Sequence, residues 1–485
     1  MILLKFFILG SLSSLLYPPF FMLPLGFLLF PYLVILISKI SNNNSFLIYF
    51  ISGFSFGLGF LIIYLSWIFN PFLVYEITKP YTIVALLLPV CLSIFFGLSF
   101  FLYKLFNKRF LIILVTPFVF LLIEFSITNF IYGFPWISNS LVLSNNLLGL
   151  KLLKYFGTFG SGYLIVSIFV IVSLFISNNK YSNFKNLFFI NLSPFIFVFL
   201  IPFISIFYDN QSYTKEIKID IHQILSPIKN INKKNIEKNI IKIINSSDAD
   251  YIIFAENNFP YLIDKKKPLN LNKFINDNKK VIIGGTSFEE GKYYNSFLLL
   301  EKNKIHFFDK KILVPFGEFL PLRKYFNFME SISGSVDFQT GLIDRAIKTD
   351  DELIILPVIC YEIIFDKIFK NINKKEVDII INLTNDSWFG DKIGPYQHFY
   401  IARMKSLIAN KPLLRVSNNG ISAIVDNNGI ILRYSEFNKR TNLNYKLNFK
   451  NNKSFYFFHN LFFYYLVFIF ILFVIIRKKS FNENK

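Results

Sequence analysis

The chain has 485 residues, of which 53% are hydrophobic and 17% charged, with 63 Phe and a formal net charge of +20. This composition excludes a disordered or collagen-like chain and is too apolar for an ordinary soluble enzyme. The positive excess is spread over the chain with no concentrated basic block, so no nucleic-acid partner is expected.

Residues 1–208 hold ten Lys/Arg and two Asp/Glu, residues 209–453 hold 37 and 28, and residues 454–485 hold four and one. The chain is therefore expected to combine a membrane domain (1–208), a soluble domain (209–453) and a final span with its tail (454–485). The two cysteines, Cys91 and Cys360, lie in segments of opposite character, so no disulfide is expected. Neither they nor the scattered His222, His306, His398 and His459 have metal-ligand spacing, and no metal or cofactor is expected.

Crossing a hydrocarbon core of ~30 Å takes about 20 apolar residues. Seven candidates precede the soluble domain, at residues 2–16, 21–37, 46–67, 81–103, 110–127, 156–176 and 188–207, and an eighth lies at 455–476. The first two are short and flank Tyr17-Pro18-Pro19, as a helical hairpin would. With a cytoplasmic N-terminus, the inside loops carry Lys39, Lys104, Lys108, Arg109, Lys180, Lys185, Arg477, Lys478 and Lys479. The short outside loops carry only Lys79, Lys151 and Lys154. The positive-inside rule thus predicts both termini in the cytoplasm and the soluble domain outside it, in the periplasm of a diderm inner membrane.

Residues 128–155, with Gly133-Phe134-Pro135-Trp136, read as an interfacial loop facing the soluble domain. Glu124 is the only acid in the eight apolar runs. A carboxylate there is costly unless paired, and a functional group and a snorkelling side chain are equally open readings.

The soluble domain alternates short apolar runs (217–221, 251–255, 280–284, 296–300, 353–359, 377–383, 413–417 and 422–426) with helical patterns, notably 235–244 and 397–410. That predicts an α/β layered domain. Active-site groups in such domains gather at strand carboxyl ends, and Cys360 ends one strand. A lone cysteine is more often a small buried hydrophobe. As a nucleophile it needs a base and a cation or amide dipoles for the oxyanion. Glu256, after the strand at 251–255, can serve as base. Lys310 or Lys311, before Ile312-Leu313-Val314-Pro315-Phe316-Gly317-Glu318, can supply the cation.

The chain resembles apolipoprotein N-acyltransferases, membrane members of the nitrilase superfamily, over nearly its whole length. The residues that carry this are Phe134-Pro135-Trp136, Phe308-Asp309-Lys310, Leu313 to Glu318, Cys360-Tyr361-Glu362, Asn385-Asp386-Ser387-Trp388-Phe389-Gly390, Gln397-His398, Ala402-Arg403, and Pro412 through Arg415 to Asn419-Gly420. The resemblance implies a bundle of about eight membrane helices plus a nitrilase-like αββα sandwich. It implies the triad Glu256 (base), Lys310 (oxyanion) and Cys360 (nucleophile). The family's lysine lies eight residues before the glutamate of Pro-Phe-Gly-Glu, which selects Lys310 over Lys311. Glu318 would orient the lysine and cysteine, with Tyr361, Glu362 and Trp388 near the site. The sequence departs from the family at Ile221 to Leu225, where a Gln-Gly-Asn-like run is common. It departs also near Ile231, at the place of a Trp, and at Ala255, at the place of a Pro.

The reaction so implied moves an acyl chain from a phospholipid to Cys360 as a thioester. The chain then passes to the α-amine of an N-terminal S-diacylglyceryl cysteine on an apolipoprotein, so the partners are the bilayer and two lipid-anchored substrates. Residues 319–341 include Phe319, Leu320, Leu322, Tyr325, Phe326, Phe328 and Met329 with Arg323 and Lys324. They read as a loop that dips into lipid while its cations meet phosphates, with a hinge at Ser331 to Ser335. Two other readings stand beside this one: a membrane-tethered amidase with water as acceptor, and a transporter with an outer binding domain.

Overall fold

The computed structural model describes residues 1–40, 45–106, 108–176, 185–199, 214–229, 231–276, 279–325, 330, 334, 336–342, 346–450 and 452–482. The chain forms two compact units. One comprises Met1–Ser66, Ile83–Asn210 and Phe455–Lys485, the other Trp67–Thr82 and Gln211–Ser454.

The first unit is helical, as mean apolarity without strand alternation dictates. Among the described residues, six helices are long and apolar enough to cross a membrane: Leu23–Ile40, Phe46–Tyr64, Glu76–Leu105, Arg109–Asn129, Leu147–Leu174 and Tyr456–Ile476. Ile2–Leu16 is apolar but shorter. Of the expected span at 188–207, helix Lys185–Phe199 covers the first part and residues 200–207 lie outside the described residues. Two helices approach each other through glycine. A Cβ on Gly10 would lie 1.9 Å from the Phe56 carbonyl oxygen, and one on Gly59 2.1 Å from that of Phe7. Small residues permit this contact where lipid supplies no hydrophobic drive.

The expected loop at 128–155 ends early. Helix Leu147–Ile176 begins inside it and breaks direction at Gly157, φ +66°, so the stretch 147–155 is helix rather than loop. What remains is tied down by buried polar bonds. Glu124 accepts from the backbone and side-chain nitrogens of Asn139 (3.0 and 2.9 Å). Tyr17 donates to Asn139 Oδ1 (3.2 Å) and Tyr64 to the Trp136 carbonyl (3.0 Å). Glu124 is therefore a buried anchor of that loop, not a snorkelling side chain.

Among the described residues, the second unit holds thirteen strands: β1 (Thr214–Gln223), β2 (Tyr251–Phe254), β3 (Ile263–Asp264), β4 (Lys280–Glu289), β5 (Lys292–Glu301), β6 (Lys304–Asp309), β7 (Ile347–Lys348), β8 (Ile354–Ile359), β9 (Ile379–Thr384), β10 (Leu413–Ser417), β11 (Ala423–Val425), β12 (Ile431–Tyr434) and β13 (Thr441–Lys450). One sheet runs β13-β1-β2-β4-β5-β6, with β3 on β4, and the other β12-β11-β10-β9-β8-β7. The parallel pairs β1–β2, β2–β4, β8–β9 and β9–β10 form the centres, and antiparallel strands flank them.

Side-chain alternation explains the layers. Ile253, Ile282, Phe297 and Leu299 point inward and meet Ile355, Ile359, Ile381 and Leu414 of the other sheet in one core. Their neighbours Ile252, Phe254, Val281, Ile283, Leu298 and Leu300 point outward, against Ile240 and Ile244 of helix Lys233–Ser246. Strands covered on both faces read as continuous apolar runs, as these do. Helix Gly394–Ala409 packs on β10 and on the turn after β8. The result is an αββα sandwich.

Candidate active site

Parallel strands β2 and β8 both end at one edge of the sandwich, and their next residues bring the candidate groups together. Glu256 follows β2 by two positions, Lys310 follows β6 by one, and Cys360 follows β8 directly. All three are buried. Cys360 opens the turn Cys360–Ile364 with φ +48°, a left-handed conformation that a side-chain-bearing residue adopts only where the surroundings enforce it.

Lys310 Nζ lies 2.8 Å from Glu318 Oε1 and 3.6 Å from Glu256 Oε1. Asn295 Nδ2 donates to both carboxylates, at 2.8 Å to Glu256 and 2.7 Å to Glu318. The other Glu256 oxygen accepts from the Asn385 backbone N–H at 2.8 Å. Glu318 Oε2 accepts from the Val314 N–H at 2.8 Å, which fixes its own turn. The charges that act on the Cys360 thiol are those of Glu256, Lys310 and Asp386.

The electrostatics follow from two carboxylates sharing one ammonium. Burial raises the Glu256 pKa, Lys310 opposes this and Glu318 adds to it, with a net rise above the usual 4.5. Burial works against the Lys310 charge, but Glu318, Glu256 and Cys360 outweigh it and hold the lysine protonated. Burial, then Glu256, push the Cys360 thiol well up, with Lys310 opposing. At rest, the site thus holds a neutral thiol, an ammonium and a carboxylate with raised proton affinity. This arrangement can move a proton off sulfur and place a cation against an oxyanion.

The supporting residues divide. Glu362, fully buried, accepts from the N–H groups of Ile359 (2.9 Å), Lys311 (2.6 Å) and Ile312 (3.1 Å). It staples the strand end before Cys360 to the backbone after Lys310. Tyr361 packs edge-on against Phe365, centroids 5.1 Å apart. Trp388 is half-buried on the turn Asp386–Phe389. The loop at 319–341 corrects one expectation. Arg323 is paired with Glu330 (2.8 Å) and with Asp337, so it is neutralised within its own loop rather than offered to phosphate. Phe326, Phe328, Met329 and most of the Ser331 to Ser335 hinge lie outside the described residues.

Sequence reasoning missed Asn295, which bridges the two carboxylates. Its signal is present: Phe297 and Leu299 face the inter-sheet core, and a polar residue two positions earlier on β5 shares that face. It also gave no role to a second buried cluster. Asp386 accepts from His398 Nδ1 (2.8 Å), Arg415 (2.7 Å) and the Ser417 hydroxyl (3.0 Å). Among the described residues, no group of three or more His, Cys, Asp and Glu is arranged to hold a metal ion. Cys91 and Cys360 are both free thiols.

Two family models match the chain. "Apolipoprotein N-acyltransferase N-terminal domain" covers residues 9–171, and "Carbon-nitrogen hydrolase" covers residues 231–445. An apolipoprotein N-acyltransferase of Rickettsia typhi is 30% identical over 455 residues, spanning 89% of each chain. That of Wigglesworthia glossinidia brevipalpis is 32% identical over 459 residues, 87% of this chain and 86% of the relative. Among solved structures, a CN-hydrolase superfamily protein from Xanthomonas campestris aligns at TM-score 0.38 and 12% identity, covering 48% of this chain and 91% of that one.

Proposed function

Because this chain belongs to the apolipoprotein N-acyltransferase family, we propose that its membrane-bound acyltransferase activity, the N-acylation of lipoproteins, runs through a thioester on Cys360. The donor is a phospholipid, and the acceptor is the α-amine of an N-terminal S-diacylglyceryl cysteine. The observation that carries this reading is the convergence of Glu256, Lys310 and Cys360 from three separate strand ends.

Glu256 takes the thiol proton as sulfur attacks the phospholipid ester carbon. The S–C bond forms, and the oxyanion is held by Lys310. The C–O bond then breaks, and the lysophospholipid leaves with the proton from Glu256. In the second half, the acceptor amine attacks the thioester and Glu256 takes a proton from nitrogen. The amide forms as the C–S bond breaks, and the thiol is restored. Each half-reaction needs a base that releases its proton again, which suits a carboxylate with raised proton affinity.

The lipid donor is supported by the exposed apolar side chains Phe316, Leu322, Tyr325 and Leu342 around the loop after Lys310, with Lys324 among them. The distribution of loop lysines supports cytoplasmic termini and a periplasmic catalytic domain. Incubating the purified protein with acyl-labelled phospholipid tests the chemistry. Hydroxylamine-labile label on the enzyme that moves to a diacylglyceryl lipopeptide amine is expected. Release of free acid alone, with no transfer, would instead make the protein a hydrolase.

A further inference from the structure

The stretch Trp67–Thr82 belongs to the second unit, although in sequence it sits between the apolar helices Phe46–Tyr64 and Leu87–Leu105. Its first residues grip one loop of the sandwich. Buried Trp67 donates from Nε1 to Gln397 Oε1 at 3.0 Å, and its ring meets that of Phe389 edge-on with centroids 4.9 Å apart. Asn70 Nδ2 donates both to the Trp67 carbonyl (2.9 Å) and to the Phe389 carbonyl (3.1 Å). The loop is shaped to receive them. Gly390 has φ +74°, and a Cβ there would lie 2.2 Å from Asn70 Nδ2, while one on Gly394 would lie 2.9 Å from the Trp67 ring.

The gripped loop begins at Asn385, whose N–H is the 2.8 Å donor to Glu256 Oε2. Asn385 also anchors the turn Asp386–Phe389, its side chain accepting from the Ser387 N–H. Only Asp386, Ser387 and Trp388 thus separate Phe389, the point held by Asn70, from Asn385, whose amide lies on the carboxylate.

We propose that Trp67 and Asn70 are positioning residues for Glu256: a segment contributed from between two apolar helices locks the Asn385–Gly394 loop, and so keeps the Asn385 amide on the carboxylate. This rests on reading Glu256 as the base for Cys360. A clamp of this kind ties proton transfer at the site to a segment that emerges directly from an apolar helix. It acts through the backbone of the loop, without touching the reacting atoms.

The test uses the full-length protein in phospholipid nanodiscs and follows single-turnover acylation of Cys360 against pH, with thermal stability in parallel. Asn70→Ala removes both donors, and Trp67→Phe keeps the ring but removes the Gln397 bond. Asn70→Ala is expected to slow acylation about tenfold, with half-saturating phospholipid unchanged. Its acid limb should move to higher pH, because a lost hydrogen bond to the ionised carboxylate disfavours that form. Trp67→Phe should move both readouts the same way by about threefold or less. Wild-type rates and pH profiles in both variants would overturn the proposal. So would a loss that only follows the folded fraction while the acid limb stays in place. If wild-type Cys360 takes no label at all, the reading of the base and nucleophile fails first, and the clamp with it.

Discussion

Two carboxylate clusters lie buried in the same sandwich, and they hold their protons in opposite ways. Around Glu256, two carboxylates face one ammonium, and burial raises the Glu256 pKa. Around Asp386, burial also pushes upward, but Arg415 ahead of His398 overrides it and holds the carboxylate well below its usual range. Asp386 accepts from the Arg415 guanidinium at 2.7 Å, and a second guanidinium nitrogen donates to Asn382 Oδ1 at 2.6 Å. On the proposed reading of Glu256 as the base, depth is not what separates a working carboxylate from a structural one. The number of opposing charges is. A site that must take up and release a proton is left one cation short, whereas a brace is fully paired.

That contrast can be broken from either side. Glu256→Gln should lower turnover by about 10²–10⁴-fold, the scale of a lost general base. It should leave thermal stability unchanged or higher at neutral pH. A raised pKa means that folding disfavours the ionised form, and the amide removes that cost. A large fall in melting temperature would make Glu256 a structural residue like Asp386. Lys310→Met should cost about 10²–10³-fold in acylation through the lost oxyanion partner, read out as single-turnover label on Cys360.

Asp386→Asn should show the reverse signature. It leaves the buried Arg415 without its carboxylate, at a cost of about 3 kcal/mol or more in stability, measurable by chemical denaturation. The pH dependence has a definite sign. The folded-state pKa of Asp386 is depressed, so its contribution is fully present above the unfolded aspartate value of about 4. It is lost as pH falls through the folded value. Wild type should therefore lose stability below about pH 4 more steeply than Asp386→Asn does. The smallest effect belongs to His398→Gln. It keeps a donor toward Asp386 and should cost about 1 kcal/mol.

The sequence carried the layered fold because strands such as β2 and β8 are apolar on both faces. The antiparallel edges were harder. β13 alternates polar and apolar residues over Thr441–Lys450 and pairs with β1 more than 200 positions earlier, and nothing local announces that partner. Glu256 and Cys360 were legible because each follows a recognisable strand, whereas β6 was not read as a strand and only the family resemblance selected Lys310 over Lys311. Asn295, the Asn385 amide and the Asp386–His398–Arg415 brace were not assigned, because their roles exist only once distant segments meet. Trp67 and Asn70 were hidden most deeply. Their neighbours on both sides are membrane-like, and hydropathy merged Trp67 into the preceding span. The same averaging concealed the helix at 147–155, where Lys151 and Lys154 interrupt an apolar pattern.

The most direct test of Glu256 as the base for a Cys360 thioester is the mass of the Cys360 peptide after a single turnover on phospholipid bilayers. It is compared between wild type and Glu256→Gln, with both proteins folded. One acyl chain on wild-type Cys360, labile to hydroxylamine, and an unmodified cysteine in the variant are expected. Equal acylation of the two proteins, or an acyl chain on any other residue, would contradict it.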